Sequence, residues 1–108
     1  MNETARMIVI YTTYPSEGDA AKIGGELIEQ KLAACVNIFP GMASIYRWQD
    51  AVESGKEAAM LVKTRKDMQE RVLVALRERH PYSTPALIVF EPAHVAPAYL
   101  EWLQENCG

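Results

Sequence analysis

Apolar and polar positions along this chain repeat with periods of about 2 and about 3.6, which separates strands from helices. Arg6–Thr13 contains the run Met7-Ile8-Val9-Ile10-Tyr11, bounded by a turn, and predicts a buried strand. Pro15-Ser16 opens a helix, with Ser16 as N-cap and Asp19 at the positive end of the dipole. Ala20, Ile23, Gly24, Leu27, Lys31 and Ala34 form one helical stripe, so this helix is predicted to run into the Lys31-Leu32-Ala33-Ala34 segment. Inside it, Gly24-Gly25 costs about 1 kcal/mol per residue relative to alanine, and close packing on a sheet is the expected compensation.

A second strand starts at Cys35 and Val36 and is interrupted by Pro40-Gly41. Proline donates no ladder hydrogen bond and glycine tolerates positive φ, so the pair predicts a bulge or kink. Alternation then resumes through Ser44, Ile45, Tyr46, Arg47 and Trp48. A turn is expected near Asp50–Gly55, and Lys56–Thr64 returns antiparallel. Asp67 starts a second helix whose inner face is Met68, Val72, Ala75 and Leu76, with Arg79 at its edge. It stops at His80, because the residue before Pro81 is pushed out of the α region. Pro85–Glu91 is a fourth strand, and Pro97 fits the first turn of a closing helix carrying Tyr99, Leu100, Trp102 and Leu103. The order β-α-β-β-α-β is the ferredoxin-like split βαβ plan, an α+β fold, here with a C-terminal helix and one domain over residues 1–108. Its long hairpin, with Tyr46 and Trp48 on one face, exceeds what a small domain covers alone. That predicts a partner chain.

Charge and composition narrow the function. The net charge is −3 and the basic residues are scattered, which argues against a nucleic-acid footprint. No segment approaches the ~20 apolar residues of a membrane helix. The Met1–Arg6 segment lacks the apolar core of a signal peptide, so a cytoplasmic location is expected. The two cysteines, Cys35 and Cys107, make no disulfide framework and no CxxC site, and both are read as free thiols.

Few residues offer chemistry. His80, at a helix end beside Pro81-Tyr82, is either a cap for the last helical carbonyls or a metal ligand. Cys35 is either a small buried hydrophobe or a soft ligand for copper. Tyr46 and Trp48 are read as packing residues of a subunit interface. The alternative is an intersubunit cleft in which Arg47, Lys63 and Tyr82 surround a small anion. Gly24-Gly25 lies inside a helix, so no phosphate-cradling loop is formed. Ser44 and Ser54 sit in no elbow motif, His94 has no assigned role, and no nucleophile-base pair emerges. An enzyme is not expected, and no cofactor is required.

Residues 31–48, together with Thr12-Thr13-Tyr14-Pro15, Glu57, Met60-Leu61-Val62-Lys63-Thr64 and His80-Pro81-Tyr82, closely resemble the CutA family of divalent-cation tolerance proteins. The resemblance spans about Met7 to about Leu103. It implies a homotrimer similar in build to PII signalling proteins, a role in divalent-cation and especially copper tolerance, and no defined reaction. Family members commonly read His-Pro-Tyr-Glu-x-Pro-Glu where this chain has His80-Pro81-Tyr82-Ser83-Thr84-Pro85-Ala86. Ser83 and Ala86 thus replace both glutamates. Tyr11 and Arg79 stand where some members carry a cysteine and a second histidine. Of the metal donors the resemblance implies, His80 is the one retained.

Overall fold

The computed structural model describes residues 5–108, and the Met1–Thr4 part of the N-terminal reading lies outside them. In chain order the elements are β1 (Met7–Tyr14), α1 (Glu17–Glu29), β2 (Cys35–Trp48), β3 (Ala51–Arg65), α2 (Gln69–Arg79), β4 (Ile88–Phe90) and α3 (Pro97–Glu105). The strands make one antiparallel sheet in the order β2-β3-β1-β4. This is the α+β split βαβ plan that the hydrophobic pattern predicts.

The sheet has a thick face and a thin one. Ile8, Ile10, Ala58, Met60 and Val62 pack against Ala20, Ile23 and Leu27 of α1 and against Val72, Ala75 and Leu76 of α2. On the other face, α3 covers only one corner, where Leu103, Tyr99 and Leu100 gather on Met7 and Val9. Residues directly opposite each other in a sheet share a face. Phe90 opposes Val9, Ile88 opposes Tyr11, and Phe39 opposes Ala59, which in turn opposes Thr13. Phe39, Ile88 and Phe90 therefore lie on the thin face, and all three are exposed.

Several boundaries move. α1 ends at Glu29, short of Lys31–Ala34, in a Schellman arrangement. Lys31 takes φ +60, its N–H donates to the Ile28 carbonyl, and the Leu32 N–H donates to the Leu27 carbonyl. Lysine here does what glycine usually does, so the stop carried no compositional mark. Gly24 does pack closely: a Cβ there would lie 2.9 Å from both Met60 Sδ and Val36 Cγ2, whereas one on Gly25 would meet nothing within 4 Å. The hairpin turn is Gln49-Asp50, both at positive φ, rather than Asp50–Gly55. Ser54-Gly55, which has turn composition, instead lies within β3. Asp67 does not cap α2 but holds Arg65 from a short 3-10 turn, Lys66–Met68. β4 is shorter than Pro85–Glu91, and it pairs with β1 only through Val9, Ile10 and Tyr11.

Candidate functional site

Beyond the body of the sheet, the hairpin continues as a two-stranded arm. β1 pairs with β3 from Arg65 to Ala58, so from Ala51 to Glu57 β3 has β2 as its sheet neighbour and no other strand. Pro40-Gly41 makes the expected bulge: the register shifts between Phe39 and Met42, with Gly41 at φ +66. One extra residue reverses the parity of every side chain that follows. Before the bulge, Cys35, Asn37 and Phe39 share the thin face with Lys63, Leu61 and Ala59. After it, Met42, Ser44, Tyr46 and Trp48 take that face with Glu57, while Ile45 and Arg47 turn to the opposite side with Val52.

Between the arm and the segment after α2 lies a cavity of 560 Å³. Thr13, Tyr46, Trp48 and Glu57 line it from the sheet, and residues 81–84 and Ala86 line it from the other side. Tyr82 Oη donates to Glu57 Oε2 at 2.8 Å. Desolvation pushes the Glu57 carboxyl up, but hydrogen bonds from Ser44, Tyr82 and Thr13 and the nearby His80 together outweigh it, leaving its pKa below 4.5. Burial, and then the facing Glu57 carboxylate, drive the Tyr82 phenol well above its ordinary range. Glu57 is therefore a fixed negative charge at neutral pH, and Tyr82 its neutral donor.

His80 buttresses this pair from behind. It is the C-cap residue of α2 in extended conformation, and its ring meets Thr12 and Tyr14 of β1. The ring stacks on Tyr14 with centroids 4.4 Å apart, and burial pushes the Tyr14 phenol up to about 12. The Tyr82 backbone N–H donates to Nδ1 at 3.2 Å, so Nε2 carries the proton and donates to Thr12 Oγ1 at 3.0 Å. Desolvation holds the imidazole below its ordinary 6.5, only partly offset by the Thr13 backbone and Glu57. The capping reading of His80 is thus replaced by a packing and positioning one.

The described residues do not bring the metal candidates together. Both His80 nitrogens are committed to hydrogen bonds. Cys35 is half-buried on the thin face, 3.8 Å from Asn37 Oδ1, whereas His80 bonds to Thr12 on the helix side. Among the described residues, no group of three His, Cys, Asp or Glu side chains could hold an ion. The anion cleft is also not assembled within one chain. Tyr82 lines the cavity, Arg47 points to the other side of the arm, and Lys63 Nζ sits 5.5 Å above the Tyr99 ring beside α3. Tyr46 and Trp48, assigned to a subunit interface, form the arm wall of the recess and remain half exposed. The central residue that pattern reading passed over as chemistry is Glu57. Its only mark was a carboxylate directly preceding the apolar run from Ala58 to Val62.

Comparison with known proteins follows this geometry. The family profile described as CutA1 divalent ion tolerance protein matches residues 8–106. A relative from Thermus thermophilus, named divalent-cation tolerance protein CutA, is 42% identical over 93% of this chain and 97% of its own. The chloroplastic protein CutA of Arabidopsis thaliana is 34% identical over 97% of this chain and 58% of its own. The crystal structure of CutA1 from Oryza sativa superposes with a TM-score of 0.92 at 33% identity, covering 99% of this chain and 98% of that one.

Proposed function

The chain belongs to the CutA1 divalent ion tolerance family, and on that premise we propose that it acts in divalent-cation tolerance as a cytoplasmic homotrimer without catalysing a reaction. The observation that carries the reading is the unsupported arm. A two-stranded hairpin is marginally stable at best in water, yet this one keeps Ile45 at 77% and Val52 at 66% exposure on one side. On the other side, Tyr46 and Trp48 are about half exposed at 50% and 49%. Copies of the same chain are the natural cover: the arm of one subunit lies on the thin sheet face of the next, over Phe39, Ile88 and Phe90. Three copies close such a head-to-tail contact into a ring, in a build similar to PII proteins.

Copper, in this reading, is the stress that the assembly answers rather than a ligand resident in each chain, since His80 and Cys35 do not form a donor set. Absence of catalysis is supported by the same commitment of His80, whose ring has no nitrogen free to act as a base. Two free thiols suit a reducing cytoplasm. The test is complementation. A copper-sensitive strain lacking its own family member should regain growth in copper-containing medium with the wild-type chain. Ile45→Glu/Val52→Glu, which charges the outer side of the arm, should fail to restore it. No rescue by the wild type would overturn the tolerance role, and full rescue by the arm variant would overturn the role of assembly.

A further inference from the structure

The recess holds one feature that neither assembly nor tolerance explains, a carboxylate with no cationic partner. Glu91 pairs with Arg6 and Lys66, Asp67 with Arg65, and Glu26 with Arg79, all outside the recess. Among the described residues no Lys or Arg forms an ion pair with Glu57. Its hydrogen-bond donors, Ser44, Tyr82 and Thr13, are neutral, so they hold the carboxylate in place without cancelling its charge. Tyr46 and Trp48 continue the same wall away from Glu57, two residues apart on one face of the arm. Aromatic faces attract cations as well as apolar groups, and a cavity of 560 Å³ lies in the range that holds a small molecule.

We propose that this recess binds a small organic cation, with its ammonium group against Glu57 and its apolar body along Tyr46 and Trp48. An anion would meet the Glu57 charge with no compensating cation in the recess. A transition metal would find one carboxylate among rings that supply no further soft donor. An arylalkylammonium satisfies both ends of the recess at once. The inference uses only residues of this chain and does not rest on the tolerance reading.

The test compares three probes of one shape on the intact protein: phenethylamine, protonated at neutral pH, phenethyl alcohol and 3-phenylpropionate. Titration calorimetry gives affinities, and side-chain NMR shifts of Tyr46, Trp48 and Tyr82 locate the site. The ammonium should bind at least tenfold more tightly than the alcohol, the carboxylate should give no saturable signal, and shifts should concentrate on those rings. Glu57→Gln should erase the preference of ammonium over alcohol. Equal binding of ammonium and alcohol, tighter binding of the carboxylate, or no saturable ammonium binding would each overturn the proposal. Should Glu57→Gln not fold, the wild-type ranking with its NMR localisation decides alone. Complementation in copper medium is unaffected by this outcome, so the two readings fail separately.

Discussion

His80 and Glu57 set the acid response of the molecule, and they act in successive pH windows. The folded pKa of His80 lies below 6.5, so on acidification the unfolded chain takes up its proton first. Stability should therefore fall as pH drops through 6.5 and level off below the folded value. Glu57 also has a lowered pKa, so its contribution is present above 4.5 and is lost as pH falls through its folded value. Melting temperature followed from pH 8 to pH 3 should decline in two stages, and His80→Gln should remove the upper one; an unchanged upper stage would show that another group causes it. Ser83 and Ala86 give a second residue-level test, because both line the recess that holds Glu57. Ser83→Glu/Ala86→Glu would converge three carboxylates there. Calorimetry should detect divalent-cation binding in the double variant that exceeds wild type. Ala86→Glu should contribute more than Ser83→Glu, since Ala86 is half-buried and Ser83 exposed. No gain would show that the two side chains cannot reach Glu57. The reach of Glu57 itself was not legible in the pattern, because its partners Tyr82, Ser44 and Thr13 come from three distant stretches of chain.

At the scale of elements, α1 offers a paired experiment. Gly24→Ala places a methyl against Met60 and Val36 and should cost about 1 to 3 kcal/mol by overpacking. Gly25→Ala faces open space and should instead stabilise by about 1 kcal/mol through helix propensity. Urea unfolding of both variants distinguishes them, and the same sign for both would contradict the packing described for this helix. Long periodic elements were legible because burial imposes their period: Ile8, Ile10, Leu27, Val72 and Leu76 all lie in the core where the pattern put them. Ends and turns were less so. Lys31, Gln49 and Asp50 adopt positive φ without being glycine, Lys31 to close the Schellman arrangement and Gln49-Asp50 to close the two-residue hairpin turn. The bulge at Pro40-Gly41 was readable, but its consequence was not. A parity reversal is invisible until the register on β3 is known, and it is what separates Arg47 from Tyr82 and brings Tyr46 and Trp48 to Glu57.

For the whole molecule, shape carries the argument. The chain measures 45 × 27 × 22 Å, long for 108 residues because the arm projects past β1. Helices shield one face of the sheet, while the other shows Phe39, Ile88 and Phe90 outside the corner held by α3. An isolated copy would expose both the arm and this face. Buried aromatic truncations at interface centres cost a few kcal/mol, so Trp48→Ala should shift assembly toward smaller species at micromolar concentration. Melting should also become more dependent on protein concentration. The most direct measurement is the mass of the wild-type protein by light scattering in dilute buffer across a range of concentrations. The account predicts three times the chain mass of 12.1 kDa, constant down to the lowest concentration measured. A well-folded species at the mass of a single chain would contradict it.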